Sequence, residues 1–411
     1  MFWLKYLINK KKRRHASGRT GLMVLVFMAH LCTAGFSKNG ASSEDISHLR
    51  AWNQWQADKC FRPWVVMEAW ATYSINEEQG DRTYANRGDI SLRRLRFGGS
   101  GSPYSWLRYS LQLSMDRIGE DPFASTKGSY QGVDIWNAYM TAKLSPKHDL
   151  LNLHVGYFWA QISREYSTVA WTQGSFDRTR ANWYLRKFLT GKGNGIESGM
   201  ALGGQKNMNG FGFSYRVGTF EPTQSMEAQH PARLYTSHLI FSLGDLEQDS
   251  YKYRLRGNDW GKRKGISLGL GASSQAAGMS NDSVCFDSSY AWGMDILFCY
   301  SGFRLDGEYF KLKRTAEGYG HFNGKEWHIR FAYNLMLGHE FFEPVLTYDR
   351  FEGSGSKSVY NYVGDDHTLD VGVNWYLNKE RFKLSVHYLV QEGSVASNTG
   401  DYLGLGFQWK L

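Results

Sequence analysis

The sequence predicts an all-β protein, a transmembrane antiparallel β-barrel of about sixteen strands with long external loops and short periplasmic turns. Three observations support this prediction. Apolar and polar residues alternate in runs of about ten residues, Gly, Asn, Asp and Ser separate the runs, and aromatic residues often stand at the ends of the apolar faces. A barrel in lipid needs strands of roughly 9–11 residues that are apolar outside and polar inside, because every backbone group must be paired without water.

The N-terminus, residues 1–34, is predicted to be a secretory signal peptide. Seven basic residues surround or precede an apolar stretch at 21–31, and small residues follow at 33–35. The alternative is a membrane anchor, but the apolar stretch is shorter than the roughly 20 residues that cross a bilayer. Removing the segment leaves 48 − 7 = 41 Lys+Arg against 39 Asp+Glu, so the formal charge falls from +9 to +2. Nucleic acid is therefore not an expected partner.

Three cysteines follow this segment: Cys60, Cys285 and Cys299. They form no CxxC pair and no cluster with histidine, so the sequence indicates neither a zinc site nor a redox motif. One disulfide with a spare thiol and three isolated thiols both remain open. No metal and no cofactor are expected.

The rest of the chain divides into an N-terminal periplasmic segment, 35–63, and a single barrel, 64–411. The run 106–117 shows the pattern most clearly, because its odd positions are Leu, Tyr and Met and its even positions are Arg, Ser, Gln and Asp. The same pattern recurs to the C-terminus and gives an even number of strands. The predicted strands are 64–75, 89–99, 106–117, 133–144, 149–159, 195–204, 210–220, 233–243, 265–273, 290–300, 302–313, 325–334, 342–351, 367–377, 381–390 and 402–411.

The connections alternate between short and long, as periplasmic turns and external loops do in outer-membrane barrels. The connection 244–264 breaks the alternation, because it is long where a short turn is due. Either this periplasmic turn is elaborated or the predicted strand boundaries near 251–257 are wrong. The long connections at the opposite end are 76–88, 118–132, 160–194, 221–232, 274–289 and 352–366.

The segment 367–378, with its Gly-x-Asn-Trp-Tyr-Leu core, resembles a late strand of the phosphate-selective porin O and P family. Segments 92–97, 302–309 and 343–348 agree with this family in the same order. The resemblance implies a sixteen-stranded outer-membrane channel, commonly a trimer. It also implies that the third external loop folds into the lumen and that basic residues guide anions.

The third long connection, 160–194, is the longest and carries a net charge of +4, because Glu165 and Asp177 offset only part of its basic charge. A long loop without clear repeating structure is unusual enough to suggest a function. In a constriction its arginines would favour anions and could make bidentate contacts with phosphate. The alternative is a solvated loop that touches water or lipopolysaccharide. The predicted anion-pathway residues are Arg164, Arg178, Arg180, Arg186, Lys187 and Lys192.

The barrel wall gives a different prediction, because its lumen-facing charges balance. The predicted basic positions are matched by as many acidic positions on the same faces, so no continuous ladder of cations is visible. Opposite charges on neighbouring strands can pair with each other. The basic wall residues are Arg94, Arg96, Arg108, Arg216, Arg304 and Arg330, together with Lys143, Lys383 and Lys410.

We predict a non-enzymatic porin of the cell outer membrane that admits small hydrophilic solutes by passive diffusion and prefers anions such as phosphate. Its expected partners are small anionic or neutral solutes, outer-membrane lipid and lipopolysaccharide, and two further copies in a homotrimer. One alternative is a non-conducting barrel that acts as a receptor, adhesin or scaffold. A second is a barrel-embedded hydrolase, for which Ser163, Ser167 and Ser175 are candidate nucleophiles without a Gly-x-Ser-x-Gly motif.

Overall fold

The computed structural model describes residues 60–75, 77–79, 82–84, 86–116, 132–145, 148–222, 232–280, 284–338, 340–379, 381–394 and 401–411. The chain divides into two units, Met1–Arg62 and Pro63–Leu411, and the second contains nearly all of the described residues. The signal peptide 1–34 and most of the segment 35–63 lie outside the described residues and remain predictions.

Sixteen long strands form one barrel, which confirms the predicted fold class and strand number. Every predicted strand overlaps an observed one. The strands are β1 Arg62–Ile75, β2 Arg87–Tyr104, β3 Leu107–Ser114, β4 Asp134–Lys143, β5 Asn152–Trp159, β6 Ile196–Met208, β7 Phe211–Glu221, β8 Leu234–Gly244, β9 Gly265–Gln275, β10 Ser288–Tyr300, β11 Phe303–Ala316, β12 Gly320–Tyr333, β13 Glu340–Gly355, β14 Gly364–Tyr376, β15 Phe382–Gly393 and β16 Asp401–Lys410.

The barrel is closed because its first and last strands pair with each other. Val66 of β1 lies opposite Lys410 of β16, and the antiparallel register continues to Ile75 opposite Asp401. β1 also pairs with β2, and each later strand pairs with its successor in the chain. Closure satisfies the backbone hydrogen bonds of both strands that would otherwise be edges.

The two faces of the wall alternate as the sequence predicts. On β14, Asp370 and Asn374 are buried and point inward, whereas Val371 and Val373 are 48% and 43% exposed on the outer face. Successive side chains of a strand point to opposite faces, so this alternation presents apolar side chains to lipid and polar side chains to the lumen.

Several strands extend beyond their predicted ends. β2 continues to Tyr104, beyond its predicted end at 99, and the chain reverses at 105–106. β12 begins at Gly320 rather than 325. Beyond the lipid-facing part of a strand, apolar and polar residues no longer have to alternate. The backbone hydrogen bonds between strands nevertheless continue, so the residue pattern alone does not locate the ends of β2 and β12. The tight turn after β6 uses Asn209 and Gly210, whose φ angles of 49° and 91° fit a hairpin turn.

The other short strands lie within connections or extend the wall. Glu77–Gln79 pairs with Arg82–Tyr84, and Gly278–Ser280 pairs with Val284–Phe286 in the connection between β9 and β10. Leu335–Leu337 follows β12 and pairs with β13, so it continues β12 at the same place in the order of strands around the wall.

The connection 160–194 contains helical structure, which corrects the expectation that it lacks repeating structure. Its elements are α1 Arg164–Ser167, a 3₁₀ turn at Ala170–Thr172, and α2 Arg180–Thr190. Thr179 caps α2 by accepting a hydrogen bond from the Asn182 amide, and Gly191 ends it in the left-handed conformation. Within the described part of the chain, the helices are too short and too polar to cross a membrane.

No disulfide joins the three described cysteines in this structure. Cys299 is buried and Cys285 is exposed.

Candidate functional site: two segments inside the barrel

The external loop 160–194 lies inside the ring of strands. Asp177 pairs with Arg93 on β2, with a nitrogen–oxygen distance of 2.6 Å, and also with Arg94. Glu165 pairs with Arg330 on β12 at 3.1 Å. Since β2 and β12 are distant in strand order around the barrel, these ion pairs hold the loop across the lumen.

Acidic side chains of the wall hold the backbone of the same loop. Four of the nine acidic wall positions counted from the sequence accept hydrogen bonds from loop N–H groups, and these bonds are charge-assisted. The carboxylates therefore serve as anchors for the loop. The pairs are Arg164 N with Asp295 at 3.1 Å, Glu165 N with Glu308 at 3.1 Å, Phe176 N with Asp370 at 2.8 Å, and Ala181 N with Asp349 at 3.0 Å.

Glu165 is the centre of a buried ionic cluster. Arg330 lies between Glu165 and Asp306, at 3.1 and 2.9 Å from their carboxylate oxygens. Burial alone would raise the pKa of Glu165, but the positive charges of Arg330, His328 and Arg178 together outweigh it and lower that pKa to about 2. His328, which the sequence places alone on the wall, has ligand-type atoms within 4.8 Å of both carboxylates. These three residues could in principle hold a cation, but Arg330 already supplies one.

The periplasmic connection 245–264 also enters the barrel and meets the external loop. The Val169 amide donates to the Leu255 carbonyl at 3.1 Å, and the Leu255 amide donates to the Ser167 carbonyl at 3.0 Å. Thr168 and Leu255 thus form a parallel bridge. The elaborated periplasmic turn that the sequence left open is therefore observed, with no long strand near 251–257.

The periplasmic segment is held by hydrogen bonds to the wall and by one ion pair to the external loop. The Tyr253 hydroxyl donates to the Trp159 carbonyl at 2.7 Å, and the Asn258 amide donates to Glu343 at 2.9 Å. Glu247 pairs with Arg164 of the external loop. The two segments consequently form one connected body within the lumen.

Three of the predicted anion-pathway residues are paired with carboxylates. Their positive charges are thereby offset, so each attracts a passing anion less than an unpaired cation would. The pairs are Arg164 with Glu247 and with Asp295 at 3.2 Å, Arg180 with Asp366 at 3.8 Å, and Lys192 with Glu197 at 3.0 Å.

The other three predicted loop residues differ in their surroundings. Arg178 is half-buried and donates to the carbonyl groups of Glu165 and Thr168. Arg186 is buried, and its Nε donates to the Asn182 carbonyl at 3.4 Å. Lys187 is half-buried in the last turn of α2. Arg178 thus donates its hydrogen bonds to carbonyl groups, and the Glu165 carboxylate, which already pairs with Arg330, offsets its charge only in part.

Most of the predicted wall cations face the lumen, and most have acidic partners. Arg108 is exposed beside the periplasmic turn at 105–106, and Arg216 is buried with its Nη2 3.4 Å from the Lys252 carbonyl. The ion pairs are Arg94 with Glu68 at 2.5 Å, Arg96 with Asp116 at 2.5 Å, Arg304 with Asp306 at 3.0 Å, and Arg330 with Asp306 at 2.9 Å.

Arg254 is a lumen cation that the sequence interpretation missed. It is half-buried in the periplasmic segment, with its guanidinium carbon 3.9 Å from the ring centre of Trp159. Among the described residues, no carboxylate forms an ion pair with it. The sequence did contain an indication that this segment enters the lumen, namely the unexpected length of the connection 244–264. A periplasmic turn of that length has enough residues to fold inward.

The three candidate nucleophiles of the hydrolase alternative have local structural roles. Ser163 accepts a hydrogen bond from the Tyr166 amide and caps α1, and the Ser167 hydroxyl donates to the Ser163 carbonyl at 2.6 Å. The Ser175 hydroxyl donates to the Asp177 carbonyl at 2.7 Å. None of these contacts is the serine–histidine bond that activates a nucleophile.

The sequence matches the family described as phosphate-selective porin O and P over residues 68–409. No curated protein matches it by sequence. Among solved structures, an anion-selective porin from Comamonas acidovorans is 12% identical, with a TM-score of 0.56 over 85% of this chain and 99% of that one. OprB from Pseudomonas putida is 10% identical, with a TM-score of 0.58 over 88% and 97%. OmpF from Salmonella typhi, in complex with daunomycin, is 11% identical, with a TM-score of 0.54 over 85% and 97%.

Proposed function

The chain belongs to the phosphate-selective porin O and P family and is an outer-membrane porin; from this premise we propose that it passes small hydrophilic solutes by diffusion and favours anions. The observation that carries the proposal is the unequal pairing of charge on the two inserted segments. Asp177 and Glu165 form ion pairs with arginines of the wall, whereas Arg178 donates its hydrogen bonds to carbonyl groups and shares the Glu165 carboxylate with Arg330, so its charge is offset only in part. The charge that remains for a solute is therefore positive.

The proposed mechanism is electrostatic. A guanidinium in a narrow, partly desolvated passage acts through a lower effective dielectric constant than in bulk water and lowers the barrier for an anion. Passage also requires release, so the attraction has to be weak or shared between several sites. No step of this transport consumes energy, and the direction follows the solute gradient.

Phosphate is the anion that we propose as the preferred class. Guanidinium groups present forked N–H donors that match two oxygens of a phosphate. Arg178 supports this choice because its half-buried guanidinium lies in the loop that crosses the lumen. The solved Comamonas acidovorans porin, which its description calls anion-selective, shares the fold and supports anion preference in general.

We also propose export by the segment 1–34 and assembly as a homotrimer in the outer membrane. OmpT of Vibrio cholerae, 9% identical with a TM-score of 0.53, is described in a trimer form. Exposed apolar residues on the outer face, such as Leu405 and Val371, support a surface that contacts lipid and neighbouring copies.

A second candidate function is a non-conducting barrel that acts as a receptor, adhesin or scaffold. The observation that favours it is the burial of loop 160–194, in which every residue from 160 to 168 is buried. A loop packed this closely could close the lumen instead of narrowing it.

Planar-bilayer recordings of the purified protein distinguish these functions. We expect discrete conductance steps and, in a KCl gradient, a reversal potential whose sign indicates anion selectivity. This reversal potential should shift when phosphate is added. Absence of conductance would favour the non-conducting barrel, and a cationic reversal potential would contradict the anion preference. Replacing Arg178, Arg180 and Arg186 together by Ala should reduce the anion preference, and an unchanged potential would exclude the loop from selectivity.

A further inference from the structure

Three exposed lysines form a basic patch on the outer face of the wall, at the external ends of β11 and β12. They are Lys311, Lys313 and Lys325. Their strand neighbours Leu312 and Glu326 are buried and point inward, so the three lysines point away from the lumen. β11 and β12 are joined at 317–319, on the same side of the barrel as the loop 160–194. The basic patch therefore faces the outer leaflet and lies outside the conduction pathway.

A row of aromatic side chains lies directly below the basic patch. Tyr309 precedes Lys311 on β11 and Trp327 follows Lys325 on β12, in each case by two residues. Residues two apart share a face of the strand and lie about 7 Å apart. The ring centre of Trp327 is 5.2 Å from that of Tyr348 on β13. Aromatic residues of a barrel mark the boundary between hydrocarbon and headgroups, so the lysine side chains extend among the headgroups.

Like charges meet directly across the basic patch. Lys311 and Lys325 lie opposite each other in the antiparallel register of β11 and β12. Such partners have Cβ atoms about 4.5–5.5 Å apart, and like charges at that spacing destabilise the pair. Glu352 of β13 lies 3.5 Å from Lys325 but also 3.3 Å from Arg350, so it offsets the charge of Lys325 only in part. Among the described residues, no carboxylate forms an ion pair with Lys311 or Lys313.

Exposed rings border the basic patch on its other side. Trp292 and Tyr290 of β10 lie opposite Lys311 and Lys313 and are 45% and 44% exposed. Toward the membrane interior, the same face of β10 continues with Met294, which is also exposed. A ligand that fits this surface carries negative charge at the depth of the headgroups and apolar chains directly below it. This is the chemistry of a phosphorylated lipid.

We propose that the basic patch binds the phosphate groups of lipid A, the lipid anchor of lipopolysaccharide. Ammonium and phosphate groups form charge-assisted hydrogen bonds, and a phosphate between Lys311 and Lys325 offsets the repulsion between these two lysines. Lipid A carries two phosphates on one headgroup, so a single molecule can also contact Lys313. An ordinary phospholipid has one phosphate and matches fewer of the lysines. This binding involves the outer face alone and is independent of the proposed conduction of anions.

Native mass spectrometry of the full-length protein in a neutral detergent measures its binding of bisphosphorylated lipid A. In Lys311→Gln/Lys313→Gln we expect the dissociation constant to rise about thirtyfold, the combined effect of losing two lysines beside an anionic headgroup. Lys206→Gln is the matched control, because it removes an exposed lysine from the opposite, periplasmic end of the wall. It should leave the dissociation constant at the wild-type value.

Equal affinities of the wild type and the double variant for lipid A would overturn the proposal. Equal affinities of the wild type for lipid A and for phosphatidylglycerol would also overturn it, because the basic patch would then bind anionic lipid in general. If the double variant does not fold, Lys325→Gln provides the test. We expect its dissociation constant to rise about fivefold, and an unchanged value would contradict the role of the basic patch. Single-channel conductance should match the wild type in every variant that folds, and a changed conductance would contradict the outward direction of these lysines.

Discussion

The two segments inside the barrel are held by different forces. The external loop 160–194 is anchored mainly by charge, through Arg330 with Glu165 and through strand carboxylates that accept its backbone amides. The periplasmic segment 245–264 is anchored mainly by hydrogen bonds that neutral groups of the segment donate, such as the Tyr253 hydroxyl and the Asn258 amide, together with one ion pair to the loop. The loop has a larger net positive charge than the periplasmic segment, yet much of the loop's charge is paired with groups that anchor it to the wall. The amount of unpaired charge, rather than the net charge, therefore identifies the residues available to a solute.

The largest expected effect comes from removing the periplasmic segment. Replacing 246–262 with a short Gly-Ser turn should increase single-channel conductance several-fold, because one of the two bodies in the lumen is lost. The bridge between Thr168 and Leu255 is lost as well, so the external loop should fluctuate and the current noise should rise. Conductance equal to that of the wild type would show that the segment does not limit the pathway.

The next largest effect concerns the ionic anchor of the external loop. Arg330→Met should lower the free energy of unfolding by about 3–5 kcal/mol, because it leaves the carboxylates of Glu165 and Asp306 buried without their cation. Arg350→Met on the neighbouring strand is the control. Its pair with Asp365 is solvent-exposed, so we expect a change of about 0–1 kcal/mol. Denaturant unfolding in detergent measures both, and equal losses would contradict the view that the loop is anchored by buried charge.

A smaller effect is expected from pH. The pKa of Glu165 is about 2 in the folded protein against an ordinary value of 4.5, so its ionised form contributes stability that is complete above about pH 4.5. That contribution is lost as the pH falls from 4.5 through 2. The difference in unfolding free energy between the wild type and Glu165→Gln should thus stay constant from pH 7 to 5 and shrink below it. A difference that shrinks near pH 7 would contradict the assigned direction.

The smallest effect should come from a paired loop cation. Lys192→Gln removes a charge that Glu197 already offsets at 3.0 Å, so the reversal potential in a KCl gradient should change little. Arg178→Gln, which removes a charge that is offset only in part, should change it more. The reverse order of the two shifts would invalidate the distinction between paired and unpaired charge.

The barrel could be predicted from sequence because its signal is local. Alternation within β14, for example, follows from the two-residue period of a strand and needs no knowledge of other strands. The ends of β2 and β12 were missed because the ladder continues where lipid no longer requires alternation. The α2 helix was missed although its cap Thr179 and its stop Gly191 are both visible in the sequence.

The candidate site could be predicted only in part. Length and charge identified the loop 160–194, but the partners of its charges depend on contacts between residues as distant as Glu165 and Arg330. No local pattern encodes such a pair. Arg254 was missed because a long periplasmic turn can project outward or inward, and the sequence does not state the direction.

The seam between β1 and β16 has a consequence for the order of folding. Val66 meets Lys410, so the pairing that closes the barrel joins residues near the two ends of the described chain. Contacts this far apart in sequence form slowly, because a long loop must be closed before they contribute. Until then both terminal strands are open edges that can pair with other chains. The ten residues of β16 therefore decide whether the other fifteen strands become a closed wall or an aggregation-prone sheet.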